Sequence, residues 1–358
     1  MRKLVLGIAA LVAIVPPAFA ADFNDALDGV ITGFIRPATT EFAEISARLP
    51  SAVSTVCKET NEANLRAFEN AYSETIESFS RIQFLRFGPL LEDDRLSRLA
   101  FLPDPRGTAQ RQIRKIYAAK DDSVLSAETL RDKSVAVQSL TAFDLIAFDK
   151  DTNIVLGADG ENRAFTCGYA LAIAQNVAAI SQSVASEWRD PEGYSRLLLS
   201  GGGENARFRT SQEALESVFN ALTTGVTIAK DQDILPALGT SADKAKPRRF
   251  PFSRSANSVV YLSGELGGLR DALTSMNLKR LMPSEDQWTL DTIGFEFKNA
   301  GTYLSALTVP LRNTFAEDGN YNRVAALSIV LSSIQELMSE GVAGSLGLAG
   351  GFNALDGD

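Results

Sequence analysis

Apolar residues recur at three- and four-residue steps along most of this chain, the spacing that puts them on one face of a helix. Leu65, Phe68, Tyr72, Ile76 and Phe79 keep that step, with Glu62, Glu69, Asn70, Glu74 and Glu77 between them, and predict an amphipathic helix. Val135, Gln138, Ala142 and Leu145 follow the same rule and predict another. Cys167, Ala170, Leu171, Ala174, Val177, Ser181, Val184 and Trp188 form a long seam rich in small residues, which lets neighbouring helices approach closely. A second set begins after the Gly201 to Gly203 break. Thr210 to Glu213 reads as a capping box, and Leu215, Val218, Phe219, Leu222 and Val226 fill the face that follows. Further helices are expected over 255–273 and 323–338, and Ser284 to Gln287 repeats the capping-box pattern ahead of Trp288.

Strand signals are weak. Alternating β-branched runs between hairpin turns are missing, and Gly and Pro mark helix ends or connections. The expected connections are 88–89, 103–107, 149–160, 190–205 and 237–251. The pattern predicts an all-α fold of two helical bundles, 21–195 and 205–345, with a faint internal duplication. A Gly-rich tail, 346–358, would dock through Leu346, Leu348, Phe352 and Leu355.

The first twenty residues break the helical pattern of the rest. Arg2 and Lys3 precede an apolar run from Leu4 to Val15, Pro16 and Pro17 end it, and Ala18 to Ala20 reads as a small-x-small cleavage site. The expectation is a signal peptide over 1–20, cut after Ala20, and a periplasmic protein with no transmembrane segment in the mature chain. The 35 basic and 44 acidic residues give −9. Losing Arg2 and Lys3 with the leader takes the mature chain to −11. Such a surface repels phosphate backbones, so no nucleic-acid partner is expected.

Composition also restricts the chemistry, because the chain contains no histidine. A Ser-His-Asp triad, a Cys-His pair and an H-E-x-x-H zinc site are all excluded. Any metal would be held by oxygen ligands, and any proton transfer would fall to Asp, Glu, Lys, Tyr or Cys. The two cysteines, Cys57 and Cys167, lie beyond the leader. An oxidising compartment permits a disulfide between them; two buried free thiols are the alternative.

Three stretches together resemble the imelysin-like family. They are Arg81 to Pro89 (RIQFLRFGP) with Phe101 to Gly107 (FLPDPRG), Ser134 to Phe148 (SVAVQSLTAFDLIAF), and Gly350 to Asp358 (GGFNALDGD). Their order resembles the family over most of the mature chain. The resemblance implies two four-helix-bundle-like halves facing a shared cleft, in an exported protein tied to bacterial iron acquisition. Some members are described as peptidases and others as iron-uptake components. The family's G-x-H-x-x-E motif places an imidazole and a carboxylate one helical turn apart, where they can converge on one ion.

Here Ser139 stands in place of the Gly, Thr141 of the His and Asp144 of the Glu. This departure counts against both metal binding and peptidase activity. An oxygen-only site would suit ferric iron or calcium if other carboxylates converge. Asp144 shares an apolar face with Val137, Leu140, Thr141 and Phe148, where a carboxylate is costly unless paired. It reads either as a ligand in the cleft or as the acid of an internal salt bridge to Arg86 or Arg114.

Arg81, Arg86 and Arg114 are either an anion clamp or structural ion pairs. Asp104 and Arg106 sit in a Pro-shaped turn and are second-choice cleft residues. Lys246 to Arg254 is the basic cluster of an acidic chain, either a dock for an acidic partner or a solvated loop. Arg254 and Ser255 then open a helix whose free amides favour anions. Asp356 and Asp358 read as a solvated terminus. The leading expectation is an exported, non-catalytic binding protein for a metal, a metal chelate or an iron-uptake component. A scaffold with a decayed site, or a metallopeptidase that activates water through a metal, are the alternatives.

Overall fold

The computed structural model describes residues 23–202, 205, 207–317 and 319–348. The leader with its cleavage site and the terminal stretch 349–358, including Phe352, Leu355, Asp356 and Asp358, lie outside the described residues. The fold is all-α, and among the described residues the only β pairing is an isolated bridge between Phe148 and Ile154. The early helices are α1 (Asn24–Val30), α2 (Arg36–Ser46), α3 (Leu49–Lys58) and α4 (Glu62–Ile82), with a π-helical turn, Ile31–Ile35, joining the first two. Short helices α5 (Arg95–Leu99), α6 (Thr108–Ala119), α7 (Ala127–Leu130) and α8 (Leu140–Ala147) precede the long α9 (Arg163–Arg189) and α10 (Tyr194–Leu199). The later set is α11 (Ser211–Ile228), α12 (Leu235–Leu238), α13 (Ser258–Ser275), α14 (Trp288–Ser305), α15 (Leu311–Thr314), α16 (Asn320–Glu336) and α17 (Ala343–Leu346).

The 3.6-residue pattern explains the long elements directly. In α4 the residues Phe68, Tyr72, Ile76, Phe79 and Ile82 are buried, and Asn61 caps the start by accepting from the Asn64 amide at 2.9 Å. The seam predicted from Cys167 to Trp188 is α9, whose buried side carries Tyr169, Ala170, Ile173, Ala174, Val177, Val184 and Trp188. With 27 residues and a stretch of 18 whose mean hydropathy is 1.3, α9 is long and apolar enough to cross a membrane. The expectation of no transmembrane segment in the mature chain thus meets one helix of sufficient length and apolarity, whose buried seam packs in the core. The cysteines are bridged, Cys57 of α3 to Cys167 of α9, with Cα atoms 5.9 Å apart. The bridge crosslinks two helices that already pack together.

One apolar core runs from Phe23 to Leu348 without interruption. Two glycines of α13 allow it to press onto α4. A Cβ at Gly264 would sit 2.0 Å from Ser80 Oγ, and one at Gly268 would sit 2.0 Å from the Arg81 carbonyl oxygen. Leu346 and Leu348 are buried.

Three local expectations need correction. The helix expected through Val135 to Leu145 is broken: Val135–Val137 is a 3₁₀ turn and α8 begins at Leu140. Ser139 sits between them in extended backbone and caps α8 by accepting from the Ala142 amide at 3.2 Å. The helix expected from 255 begins at Ser258, because Phe252 (φ 51°) and Ala256 (φ 62°) curl the preceding backbone into the left-handed region. Ser284 to Gln287 is no capping box; the Gln287 side chain donates back to the carbonyls of Lys279 and Met282. The box at Thr210 does form, with Glu213 N donating to Thr210 Oγ1 at 3.1 Å and the Glu213 carboxylate accepting from the Arg209 amide at 2.7 Å.

Candidate functional site

Helix α8 is held rigidly from below. Its Phe143 ring stacks on Tyr72 at 4.9 Å, Tyr72 stacks on Phe148 at 5.5 Å, and Phe68 lies within 5.8 Å of both phenylalanines. The Tyr72 hydroxyl donates to the Leu140 carbonyl at 2.7 Å. These rings form an aromatic floor between α4 and α8. Thr141 Oγ1 accepts from the Phe101 amide at 3.2 Å and shares a hydrogen with Ser139 Oγ at 2.8 Å. Both hydroxyls of the motif window are thereby committed to backbone and to each other.

Asp144 is 6% exposed and forms no ion pair with Arg86 or Arg114, contrary to that reading of its sequence. Its Oδ1 accepts from the Ser255 amide at 3.1 Å and its Oδ2 from the Arg254 amide at 3.3 Å. The left-handed residues Phe252 and Ala256 bracket this turn and aim successive N–H groups at one point, an anion-binding curl of backbone. The free amides ahead of α13 thus receive an anion from within the chain. Burial raises the Asp144 pKa to about 6, opposed by the hydrogen bonds from Ser255 and Arg254 and by the Arg254 charge.

A metal ion does not fit this window. Thr141 and Ser139 are engaged with each other and with backbone, and both Asp144 oxygens face amide donors. Among the described residues, no group of three or more His, Cys, Asp or Glu side chains is placed to hold an ion. The charged neighbours felt by Arg312 at this end include two other guanidiniums, Arg254 and Arg248, which would repel a cation.

Asp104 and Arg106 do not reach Asp144. Asp104 caps α6 by accepting from Thr108 N at 2.8 Å and Ala109 N at 2.9 Å. The exposed Arg106 supplies a backbone carbonyl to the Arg111 guanidinium. Arg81, offered as a clamp residue, is ion-paired with Asp271 at 2.9 Å.

Arg86 reaches a second buried site, between α4 and the late helices. It shares a cavity of about 40 Å³ with Gln83, Leu102, Asp233 and Tyr261, enough for one water molecule. Asp233 is carried on a π-helical turn, Ala229–Ile234, a distortion that often re-aims side chains at functional positions. Glu265 lies beside Gly264 on α13, at the closest approach to α4, where Gln83 Nε2 donates to its Oε1. Asp233 is 2% and Glu265 0% exposed. Within the described residues Arg86 Nε, Asp233 Oδ2 and Glu265 Oε2 have no hydrogen-bond partner.

One guanidinium therefore serves two buried carboxylates. Burial pushes Asp233 up to about 8, against the pull of Arg86. Burial, then the Asp233 charge, pushes Glu265 well above the usual carboxylate range. Burial lowers the Arg86 pKa, while Tyr261, Glu265 and Asp233 oppose that loss. Burial thus favours the protonated form of both acids and the Arg86 charge opposes it. Sequence reading missed Gln83, Asp233, Tyr261 and Glu265. Glu265 had a visible signal, a lone carboxylate between Gly264 and Gly267-Gly268 in an otherwise apolar helix.

With both sites described, comparison with other proteins becomes informative. The family profile of imelysin, peptidase M75, matches residues 35–337. No curated protein matches the sequence. An imelysin-like protein from Psychrobacter arcticum 273-4 superposes with a TM-score of 0.76 at 19% identity, covering 92% of this chain and 97% of that one. A candidate iron-regulated protein A precursor from Parabacteroides distasonis ATCC 8503 gives a TM-score of 0.67 at 13% identity, covering 90% and 96%. At these identities the structural likenesses establish the fold.

Proposed function

The chain belongs to the imelysin family, and from that premise we propose that it is an exported, non-catalytic binding protein of iron acquisition. It presents the seam between two helical halves, 21–195 and 205–345, to a metal chelate or a partner protein. The family and the iron-regulated relative support the iron context. One observation carries the non-catalytic reading. The α8 window that would hold an ion is spent on backbone hydrogen bonds, Thr141 to Phe101 and Asp144 to Arg254 and Ser255. A hydrolase needs a polarised water at such a place, and the side chains here activate none.

The test is a titration of ferric citrate into the protein, run beside a protein-hydrolysis assay with and without chelator. The expected outcome is saturable chelate binding and no chelator-sensitive hydrolysis. Hydrolysis abolished by chelator would replace this reading with the metallopeptidase. The saturated bonding of Asp144 also favours a second reading, a scaffold whose seam is purely structural. Absence of any chelate binding would select it.

A further inference from the structure

We propose that Asp233, Glu265 and Arg86 form a proton-operated joint between α4 and α13. It holds the helices together while the two acids keep a proton between them, and it loosens when that proton leaves. Among the described residues the buried carboxylates are Asp144, Asp233 and Glu265, in a chain carrying 44 acidic residues. Asp144 meets two amides, whereas Asp233 Oδ2 and Glu265 Oε2 have no hydrogen-bond partner. Three segments build the joint. Gln83 and Arg86, just after α4, line the cavity of about 40 Å³ with Asp233 from the π-helical turn and Tyr261 from α13. Gln83 ties that cavity to Glu265, one turn on from Tyr261, by donating to its Oε1.

The packing leaves little room for charge to relax. Gly264 and Gly268 flank Glu265, and a Cβ on either would meet α4 at 2.0 Å. The cavity has space for about one water molecule, far short of the hydration that two carboxylates need. Arg86 can neutralise one ionised carboxylate, and a second would stand buried without a counter-charge. A proton on either acid removes that second charge and turns one oxygen into a donor. No other charge reaches the place to replace it. Leu96, Ser97, Ala100 and Leu102 close the cavity on the α5 side. Tyr261 is kept neutral by burial. Lys230 and Asp231, on the turn that carries Asp233, pair with each other at 3.6 Å, and Arg81 at the end of α4 pairs with Asp271. Burial, opposed by Arg86, holds the Asp233 proton up to about 8, and burial with the Asp233 charge holds that of Glu265 above the usual range. Both folded values exceed those of the free acids, so the stability the pair contributes is present at low pH and lost as pH rises through the folded values.

The joint stands whether or not the seam takes a chelate. The experiment is hydrogen–deuterium exchange of the whole protein, followed by mass spectrometry at pH 6 and pH 9.5, with exchange times scaled to the intrinsic amide rate. Peptides from the π-helical turn and from α13 report the joint, and peptides from α9, crosslinked to α3 by the disulfide, are the reference. Variants are Asp233→Asn and Glu265→Gln, each of which removes one ionisable acid with little change of shape. Glu265→Gln keeps an acceptor for Gln83 and serves if Asp233→Asn misfolds. In the unaltered protein, protection of the two reporters should fall tenfold or more at pH 9.5 while α9 holds its protection. Either variant should remove most of that fall. Equal protection of the reporters at both pH values, a fall that α9 shares in full, or a fall that persists in the variants would overturn the joint.

Discussion

Two buried acidic sites join the early helices to the late ones, and they handle their charge in opposite ways. At α8, Asp144 meets two backbone amides, and an aromatic floor holds its helix still. At the α4–α13 contact, Asp233 and Glu265 share one guanidinium and keep an unpartnered oxygen each. Fixed backbone dipoles can stabilise a carboxylate as an anion, so the first site needs no cation. The second lacks enough donors, so it must hold protons or water instead. On the proposed reading, the α8 window acts as a structural joint rather than an ion site. The less saturated chemistry lies at residues outside that motif.

The largest effect should come from removing the shared cation. Arg86→Ala leaves two buried carboxylates without a counter-charge and should cost about 3–5 kcal/mol of stability by denaturant titration. A loss under 1 kcal/mol would mean that both acids are fully protonated and indifferent to Arg86. Crowding the same contact should come next. Gly268→Ala drives a methyl into the Arg81 carbonyl, and overpacking of this kind typically costs about 1–3 kcal/mol, read as a lowered Tm.

At the saturated site, Asp144→Ala strands the amides of Arg254 and Ser255. A buried donor left unmade costs about 1–3 kcal/mol. Helicity should be retained, while chelate binding at the seam should weaken because the loop of Arg254 and Ser255 loses its anchor. Unchanged ligand binding in this variant would detach Asp144 from the site.

Asp233 also predicts a slope with pH. An Asp in the unfolded chain releases its proton near 3.8, whereas folded Asp233 keeps it to about 8. Between those values the folded state binds more protons. Stability contributed by Asp233 is therefore fully present below the unfolded value and is lost as pH rises through the folded one. Tm should fall from pH 5 to pH 8, and Asp233→Asn should flatten that fall. A steeper fall in the variant would assign the slope to another group.

Much of this architecture was legible from period alone. Phe68, Tyr72, Ile76 and Phe79 predicted α4 because an amphipathic face leaves a regular trace, and the small-residue seam did the same for α9. The break at Ser139 was hidden because the apolar period continues through it while the hydroxyl ends one element and caps the next. Ser284 to Gln287 imitated a capping box, but Gln287 had better acceptors behind it than ahead. Asp144 was recognisable as a buried carboxylate, yet its partners were backbone amides, which no residue type advertises. Asp233 and Arg86 come together only through tertiary packing and a π-helical turn, neither of which local spacing encodes.

The account turns on whether the α8 window still holds an ion. Titrating ferrous iron, zinc and calcium into the purified protein, with elemental analysis of the protein as isolated, addresses this directly. The expectation is no stoichiometric uptake of any bare ion, in the unaltered protein or in Asp144→Ala. One ion bound per chain, and lost in Asp144→Ala, would contradict it and restore a metal site built from oxygen ligands.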